Sequence, residues 1–503
     1  IQNQAHTKSA TGPTTLLGIA DVVFVERNGQ TIRTYIDIHA PDLAVSAVIS
    51  LPLKQKTLED GEKRLELPWF FACGVRDSPV SLRDYAEVQD ETGLLRKAEL
   101  AGCKEQLQQY LHNILPRRRH VPVGTCVILG TWRPDQLIPD IPGLATGEPR
   151  RLELSAYFVW LDNHNGKPHT KSVHQLRVVA RPTSALLAKM AGFKTPLRPC
   201  AIVGCGALGS KIGSFLVRDG IGYLALVDPD VFAPHNLARH ELKQPSVGLY
   251  KAKELKREYE RVLGGDQGGM NFSSRAKTFN IHLLDRRGLD EALHNKTELI
   301  IDATADRRAL IRLCRGDQKR PVIRAELADQ GRLGLLYVEG RDRSPRIDDL
   351  EASVYLHAQS DSALVEWLKR ERRLPEISTG LGCASPTMVM PDSQVALHAA
   401  SFMPAITERL NGVTTHGGIG INYVTSEGYP SGWKWLTVPP FTVLPLDTAT
   451  GREDKWELRI HPEALSRAVE KLQKQDARES GGYLYGRYEL ALRTLTVVEA
   501  FAV

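Results

Sequence analysis

The clearest pattern of apolar and polar positions begins near the middle of the chain, where two short apolar runs flank an amphipathic segment. The apolar runs are Cys200–Val203 and Tyr223 to Val227, and the amphipathic segment extends from about Leu208 to Arg218. This order is typical of two parallel strands joined by a helix. We therefore predict a βαβ unit that begins at about residue 199.

Beyond this unit the chain continues to alternate between helices and strands. The predicted helices are 251–262, 307–315, 363–370 and 393–410. The predicted strands are 299–301, 322–325, 334–338, 419–424 and 433–436. Because strands and helices alternate, the sequence predicts a Rossmann-like α/β fold with a sheet rich in parallel strands.

The first 180 residues have a different pattern. Strands are predicted around the turn signal Asn28-Gly29 and in three later apolar runs. Their ranges are 22–25, 31–36, 45–51, 121–130 and 152–161. The segment from Leu94 to Leu115 is amphipathic and is interrupted only by Gly102, which predicts one long helix. This part of the chain is predicted to be an α/β domain without a glycine-rich turn of its own.

These patterns divide the chain into five segments. Residues 1–15 are predicted to be disordered, and 16–180 form the accessory α/β domain. Residues 181–438 form the domain with the glycine-rich turn, 439–454 are a linker, and 455–503 are the incomplete start of a further domain.

Composition and charge narrow the class of protein. The chain has 503 residues, which suits about three domains, and its 42% of hydrophobic and 25% of charged residues are ordinary for a soluble globular protein. No apolar stretch approaches the ~18 residues of a membrane span, and the polar N-terminus lacks a secretory signal. The net charge of +6 is spread along the chain apart from a basic run at 117–120, interpreted as a solvated helix end. Neither nucleic acid nor a membrane is expected as a partner.

The seven cysteines form no C-x-x-C pair. A reducing compartment fits them better than a disulfide framework, so the predicted location is the cytoplasm.

Candidate chemistry begins at the glycine-rich turn. Gly204, Gly206 and Gly209 form a G-x-G-x-x-G pattern between the first strand and the helix. Such glycines permit a tight turn, and the helix N-terminus presents N–H groups to an anion. Asp228 ends the second strand, where a carboxylate can accept hydrogen bonds from ribose hydroxyls. An NAD-dependent dehydrogenase would show the same features.

Two basic residues favour a triphosphate over a dinucleotide. A dehydrogenase contacts a diphosphate mainly through its backbone, whereas attack at the α-phosphorus of a triphosphate requires cations around the leaving pyrophosphate. Arg239 and Lys251 follow the second strand and are predicted to supply these cations.

Four blocks in this region resemble the ThiF/MoeB/HesA and ubiquitin-activating enzyme family. The family pattern is a Gly-rich turn, Asp-x-Asp, Asn-Leu-x-Arg-Gln and a later Gly-x-x-Lys. The matching residues are Gly204, Gly206, Gly209, Asp228, Asp230, Asn236, Arg239, Gly248 and Lys251. His240 stands where the family usually has Gln. The resemblance covers about residues 198–412.

The resemblance implies that the domain binds ATP and Mg²⁺. Asp302 is implied to serve the metal directly or through water, since Mg²⁺ retains several waters. Ala305 occupies the place of the family's second acid, so Asp306, one residue later, is the residue that could assist. An equally good interpretation makes Asp306 the N-cap of the next helix. The family's structural zinc is not expected here, because its two C-x-x-C pairs are absent.

The resemblance also bears on cysteine and arginine chemistry. Cys383 precedes a predicted helix and is the proposed nucleophile that captures the acyl-adenylate as a thioester, with a buried, unreactive cysteine as the alternative. Cys205 and Cys314 are poorer candidates because nucleotide and core packing would crowd them. Family members often bring an arginine to the triphosphate from a segment before the glycine turn. Arg181 is a candidate for this arginine, although an exposed surface residue is the better interpretation.

The flanking segments resemble parts of bacterial fusion proteins from ubiquitin-like anti-phage defence operons. Around Cys126 the chain faintly resembles a conjugating-enzyme active site, but a core-strand cysteine in a pseudo-adenylation or docking domain is the preferred interpretation. The C-terminal segment resembles the start of a JAB/JAMM metalloprotease, in which Glu479 matches the acid that acts as general base. No histidine follows His461, so this metal site would be incomplete.

The resemblance implies that the chain adenylates the C-terminal Gly-type tail of a ubiquitin-like protein and passes it to Cys383. The implied partners are that protein, a conjugating-enzyme-like domain or protein, and a second copy of the chain in a homodimer. Two alternatives stay open. The chain could adenylate a sulfur carrier without forming a thioester, or it could be an NAD-binding oxidoreductase or a nucleotide-sensing scaffold.

Overall fold

A computed structural model describes the chain in segments. The described residues are 15–25, 31–40, 47–50, 56–57, 63–64, 69–72, 76–77, 88, 90–100, 103–114, 123–134, 150–164, 167–180, 184–262, 276–279, 291, 293, 297–315, 318–369, 376–378, 386–412, 416–446, 456–473 and 482–502. They belong to two compact units, of which one comprises residues 1–186 and 267–270 and the other 187–266 and 271–503. The predictions for residues 1–14, the Asn28-Gly29 turn and the basic run at 117–120 lie outside the described residues.

In its described residues the first unit contains an eight-stranded sheet, a separate pair of short strands and two helices. Its strands are β1 (Thr15–Val25), β2 (Thr31–Ala40), β3 (Ala47–Ser50), β4 (Lys56–Thr57), β5 (Lys63–Arg64), β6 (Trp69–Ala72), β7 (Arg76–Asp77), β8 (Val123–Pro134), β9 (Arg150–His164) and β10 (Lys167–Ala180). The strand order is β2-β1-β10-β9-β8-β6-β3, with β7 beside β8 and with β4 and β5 as a separate pair. Only β6 and β7 run parallel to their neighbour β8, and the other pairs of the sheet are antiparallel.

The single helix predicted from Leu94 to Leu115 is wrong, because the structure has two helices there. They are α1 (Glu91–Leu100) and α2 (Lys104–Ile114). Gly102 falls between them in the sequence, and glycine weakens a helix interior by about 1 kcal/mol. Leu94 and Leu107 from the two helices are buried in one core with Tyr157 and Val159 of β9.

The second unit contains the βαβ region and is a three-layered α/β structure. Its main strands are β11 (Cys200–Val203), β12 (Leu224–Val227), β13 (Ala276–Phe279), β14 (Leu299–Asp302), β15 (Val322–Ala328), β16 (Leu333–Val338), β19 (Gly418–Val424) and β20 (Pro430–Thr437). The order is β13-β12-β11-β14-β15-β16-β19-β20. The first five strands are parallel and the last three run antiparallel. The predicted α/β fold with a sheet rich in parallel strands is thus confirmed.

Helices cover both faces of this sheet. They are α4 (Ala207–Arg218), α5 (Lys251–Val262), α6 (Arg307–Cys314), α7 (Ile347–Ala358), α8 (Ser362–Lys369) and α9 (Asp392–Leu410), and a short helix α3 (Ser184–Met190) precedes β11 in the chain. Ile202 packs in one core with α4, α5 and α9, whereas Val203 packs in the other with α6, α7 and α8. Neighbouring residues of a strand point to opposite faces, so the apolar run of β11 contributes to both cores.

The polar stretch from residue 341 to 382 differs from its predicted structure. Only one helix, 363–370, is expected there, yet α7 precedes α8 and buries Ile347, Leu350 and Val354. Its apolar side chains alternate with Asp348 and Asp349, which are also buried. Because these acids are buried, a prediction that places charged residues at the surface does not detect the amphipathic pattern of α7.

The last part of the unit is a small separate sheet. It contains β21 (Thr442–Leu446), β22 (Trp456–Ile460), β23 (Gly482–Glu489) and β24 (Thr494–Ala502), in the order β21-β22-β24-β23, together with α10 (Pro462–Gln473). A two-stranded ribbon of β17 (Glu376–Ser378) and β18 (Pro386–Met388) lies apart from it. Strand β21 falls within the segment that the composition predicts to be a linker. None of the described helices is both long and apolar enough to cross a membrane.

Candidate functional site

A cavity of about 290 Å³ lies at the carboxyl edge of the parallel strands of the second unit. It is formed by the loops after β11, β12 and β14 and by the first turns of α5 and α6. Strands β12 and β13 extend the sheet on one side of β11, and the chain then returns so that β14 lies on the other side of β11. Open α/β sheets bind ligands at such a reversal of strand order, outside the carboxyl ends of the strands.

The three glycines of the turn have different structural requirements. Gly204 has φ +88°, and a Cβ there would lie 2.8 Å from the backbone N of Thr304. A Cβ at Gly209 would lie 1.9 Å from the Gly204 carbonyl oxygen. At Gly206 a Cβ would have no atom within 4 Å, and this residue lines the cavity directly before α4. Gly204 and Gly209 are needed for close packing, whereas Gly206 leaves the helix N-terminus open to a ligand.

Asp228 lies one residue beyond β12 and lines the cavity with its buried carboxylate. Its Oδ2 accepts a hydrogen bond from the Cys205 N–H at 2.6 Å, and its Oδ1 accepts one from the Asp230 N–H at 2.8 Å. Burial raises the pKa of this carboxyl group. Asp228 therefore holds the glycine-rich turn against the loop after β12, and carboxylate lone pairs remain for ligand hydroxyls.

His240 holds the same peptide from the other side. Its Nδ1 accepts a hydrogen bond from the Leu242 N–H at 3.0 Å, so the proton resides on Nε2, which donates to the Cys205 carbonyl at 2.7 Å. Burial lowers the pKa of His240 to about 4. A neutral imidazole both donates and accepts a hydrogen bond. His240 therefore makes two contacts that the side-chain amide of Gln, the residue usual at this place in the family, could also make.

Lys251 begins α5 and brings a positive charge to the cavity wall. Its Nζ lies 2.8 Å from Oδ2 of Asp230, and its backbone N–H donates to the Asp230 carbonyl at 3.0 Å. The Lys251 side chain is largely buried, whereas 63% of the Asp230 side chain is exposed. The aliphatic part of the Lys251 side chain is therefore packed in the protein, and its charged Nζ lies at the surface of the cavity.

Asn236 and Arg239 occupy a different position from Lys251. Asn236 Oδ1 accepts a hydrogen bond from the Ala233 N–H at 2.9 Å and closes the 3₁₀ turn Pro234–Ala238. Arg239 Nη1 donates to the Met390 carbonyl at 3.1 Å. Within the described part of the chain, neither residue is among those that line the cavity. The structure thus brings Arg239 to the segment before α9.

Asp302 is buried, and its carboxylate is hydrogen-bonded within the protein. Its Oδ1 accepts hydrogen bonds from the backbone N–H and the hydroxyl of Thr304, at 3.0 and 2.7 Å. Its Oδ2 pairs with the guanidinium of buried Arg324, which lies in the neighbouring strand β15. Both carboxylate oxygens of Asp302 thus have partners in these two residues. Within the described part of the chain, Asp302 is not among the residues that line the cavity.

Asp306 lines the cavity and also caps a helix. Its carboxylate accepts a hydrogen bond from the Arg308 N–H at 2.7 Å at the start of α6, so the N-cap interpretation is confirmed. The Arg308 guanidinium contacts the same carboxylate, with Nη2 2.8 Å from Oδ2. Hydrogen bonds from Arg308 lower the pKa of Asp306.

The donor set around the cavity fits a nucleotide with its metal better than a preformed metal site. Among the described residues no group of three or more His, Cys, Asp or Glu side chains could hold a metal ion. The carboxylates that line the cavity are Asp228, Asp230 and Asp306. Mg²⁺ is usually held by substrate phosphates with one or two carboxylates, and Asp306 and Asp230 are accessible for that purpose.

Several predicted residues lie outside the described part of the chain. These are Cys383, Glu479 and Arg181. The alternative thiols are described, because Cys205 and Cys314 are free and buried, and burial raises the pKa of both. Neither is therefore suited to act as a nucleophile, in line with the expectation that they are poorer candidates.

Two cysteines of the first unit have been located. Cys126 lies within β8, where its backbone is paired with Phe158 of β9 and Phe70 of β6, so the predicted strand is present at this residue, whereas the predicted burial of its side chain stays a prediction. Cys103 is disulfide-bonded, so at this position the structure departs from the reduced thiols that a reducing compartment favours.

Sequence reasoning missed Thr304, Arg308 and Arg324. Thr304 and Arg308 line the cavity, and Arg324 neutralises Asp302. A signal for Arg308 was present, because an arginine in the first turn of a helix is opposed by the helix dipole and so calls for another reason. Arg324 had no such signal, since its register beside Asp302 depends on strand pairing.

Fold and cavity together define a doubly wound α/β domain with a glycine-rich turn and a basic residue at the carboxyl edge of its sheet. Residues 198–328 match the ThiF family model, so the chain carries a ThiF family domain. This match covers β11 to β15 and includes every described residue of the cavity.

Curated relatives share this part of the chain. The chain is 27% identical over 230 residues to the ATP-dependent ubiquitin transferase-like protein Cap2 of Pseudomonas aeruginosa, covering 43% of this chain and 36% of that protein. It is 35% identical over 89 residues to the adenylyltransferase and sulfurtransferase MOCS3 of Mus musculus, covering 17% and 19%. The chain thus spans about a third of the length of three of the Cap2 relatives that it matches.

Among solved structures, the chain is similar to E. coli MccB with ATP. The identity is 15%, the TM-score is 0.33, and the match covers 50% of this chain and 66% of that chain. A likeness at this level carries no inference about activity.

Proposed function

We propose that the second unit is an adenylating enzyme that uses ATP to activate the C-terminal carboxylate of a ubiquitin-like protein. The observation that carries this proposal is the cavity at the strand reversal, where Gly206, Asp228 and Lys251 converge. Together they offer an open helix N-terminus, a hydroxyl acceptor and a cation, which are the groups that a nucleoside triphosphate needs. The named activities of Cap2 and MOCS3 support the same reaction class.

The reaction transfers an adenylyl group in one displacement. A carboxylate oxygen attacks the α-phosphorus, the bond from that phosphorus to the β-bridging oxygen breaks, and pyrophosphate leaves. The α4 N-terminus at Gly206 receives phosphate oxygens, and Lys251 stabilises the negative charge that develops on the leaving group. Asp228 accepts hydrogen bonds from the ribose. Mg²⁺ bound with the nucleotide would add charge neutralisation. Asp306 offers an accessible carboxylate to the metal, whereas Asp302 would reach the metal only through intervening groups.

Arg239 is assigned to the triphosphate in this proposal. Its contact with the Met390 carbonyl means that it would exchange a neutral acceptor for a charged phosphate, and charge-assisted hydrogen bonds are the stronger ones. Asn236 supports it by fixing the 3₁₀ turn that precedes it.

The fate of the adenylate is the finer part of the proposal. The Cys383 thiolate attacks the acyl carbon, AMP leaves, and a thioester forms that a conjugating-enzyme-like partner could receive. Residues 386–392, which follow the Cys383 segment, are held to Arg239 by the hydrogen bond to the Met390 carbonyl and to α4 by the ion pair of Lys211 with Asp392 at 2.9 Å. We place this chemistry in a homodimeric, cytoplasmic protein of a bacterial ubiquitin-like defence pathway.

The experiment is ATP–pyrophosphate exchange in the presence of a ubiquitin-like protein. Exchange should depend on that protein, should fall in Arg239→Ala, and should persist in Cys383→Ala, because the cysteine acts after pyrophosphate has left. Exchange that survives Arg239→Ala would count against the assigned role of the arginine. Heat protection by NAD but not by ATP would favour a dinucleotide-binding protein instead.

The similarity to MOCS3 favours one alternative, adenylation that feeds sulfur transfer. A band shift of the ubiquitin-like protein onto this chain, reversed by a thiol and lost in Cys383→Ala, separates the two outcomes. Persistent adenylate formation without that shift would support the sulfur-carrier reaction.

The C-terminal sheet is proposed to be a JAB-like segment. The resemblance rests on Glu479 and on the Gly481-Gly482 pair that follows it in the sequence; β23 begins at Gly482, and Glu479 lies outside the described part of the chain. Its described neighbours include the ion pair of buried Arg459 with Asp349 of α7, at 2.6 Å, which fixes the segment onto the adenylating domain.

A further inference from the structure

Two ion pairs face the same cavity from the first turns of two different helices. Lys251 pairs with Asp230 at the start of α5, and Arg308 pairs with Asp306 at the start of α6. All four residues line the cavity. The proposed function uses Lys251 of the first pair and Asp306 of the second, and Arg308 has no part in it so far.

The Arg308 guanidinium is placed for exchange between partners. Its Nη2 lies 2.8 Å and its Nε 3.2 Å from oxygens of Asp306, and 65% of its side chain is exposed. The planar guanidinium fork fits a phosphate as well as it fits a carboxylate. A triphosphate carries more negative charge than one carboxylate, and an exposed ion pair contributes only about 0–1 kcal/mol, so the competition favours the phosphate.

We propose that Arg308 is a phosphate ligand. When the nucleotide binds, the Arg308 guanidinium breaks its ion pair with Asp306 and contacts the terminal phosphates. This inference rests on the proposed function. It supplies a second cation on the cavity wall from the same chain, in addition to Lys251, whereas Arg239 lies against Met390. Release of Arg308 also frees the Asp306 carboxylate for the metal that accompanies the nucleotide, while the Arg308 N–H keeps the helix cap.

The test measures equilibrium affinity for ATP, ADP and AMP by calorimetry on the full chain. Arg308→Ala should weaken ATP binding about ten-fold or more while AMP affinity stays within about two-fold, because the lost contact is to the outer phosphates. Arg308→Lys should fall between the two, since it keeps the charge and loses the fork. The matched control is Arg307→Ala, on the same turn, whose guanidinium pairs with Glu489 and Glu351 and does not line the described cavity.

A second variant separates exchange from a structural role of the ion pair. Asp306→Asn keeps a side chain that can cap α6 and removes the competitor for Arg308. In EDTA, without divalent metal, this variant should bind ATP about two- to five-fold more tightly than the wild type. A loss of ATP affinity equal to that of Arg308→Ala would mean that the pair merely supports the helix, and it would overturn the proposal.

The remaining outcomes are also decisive. Equal losses of ATP and AMP affinity in Arg308→Ala, or no loss at all while the wild type binds ATP, would overturn this inference and leave the proposed function intact. A wild-type protein that fails to bind ATP would overturn the proposed function itself.

Discussion

Asp228 and Asp302 stand at the carboxyl ends of the two strands that flank β11, yet their environments are opposite. Val203 is paired with Val227 on one side and with Asp302 on the other, so Asp302 is a member of its strand and Asp228 lies one residue beyond its own. Asp228 faces the cavity and accepts two backbone N–H groups. Asp302 is paired with the guanidinium of Arg324.

The difference shows that one residue of register decides between a binding group and a structural one. A step along a strand moves a side chain by about 3.3 Å and turns it to the other face. Asp302 is directly opposite Arg324 in the β14–β15 pairing, and the two buried charges neutralise each other. Asp306, four residues later, is the acid that the α6 side of the cavity exposes.

The largest expected effect comes from breaking the buried pair. Asp302→Asn would leave Arg324 buried without its closest carboxylate, and we expect the free energy of unfolding to fall by about 3 kcal/mol or more. Denaturant unfolding measures this loss. Asp228→Asn is the matched control, because it strands no cation and should cost about 1 kcal/mol while weakening ATP binding. Equal stability losses in the two variants would contradict the contrast drawn between the two acids.

The next effect concerns the peptide of Cys205, which Asp228 holds at its N–H and His240 at its carbonyl. The pKa of His240 is lowered from 6.5 to about 4 in the folded state. Its contribution to stability is complete above pH 6.5 and is lost as the pH falls toward 4, by up to about 3 kcal/mol. We expect His240→Gln, measured by unfolding at pH 4.5 and 7.5, to flatten this dependence. An unchanged acid slope in the variant would show that the imidazole is not kept neutral by the fold.

The smallest effect on stability, and a sharp one on binding, is expected at Lys251. Lys251→Met keeps the packed stem and removes the charge, so ATP affinity should fall about ten- to hundred-fold, with little change in the melting temperature. Lys253→Met is the control on the same helix, because Lys253 is exposed and does not line the described cavity. Comparable losses of ATP affinity in both variants would indicate that the Lys251 charge acts through a long-range electrostatic field and not through a direct contact with the nucleotide.

Most elements of the second unit follow from the sequence. The strands β11, β12 and β14 and the helices α4, α5 and α9 lie within one or two residues of the predicted ranges, because short apolar runs and amphipathic segments alternate there without ambiguity. The predictions fail where burial of charge conflicts with the pattern. Helix α7 buries Asp348 and Asp349, which are paired with Arg346 and Arg459, and Arg459 lies 110 positions away in the chain.

The sequence by itself determined the glycine-rich turn, the acid after the second strand and the lysine at the start of α5, since each depends on neighbours within one βαβ unit. The tertiary structure alone decided which side chains meet in the cavity. Strand register buried Asp302 against Arg324, helix packing set Arg239 against Met390, and the first turn of α6 brought Arg308 to the cavity that Lys251 also lines. The physical reason is that these contacts join residues distant in the chain, whose distances local periodicity does not define.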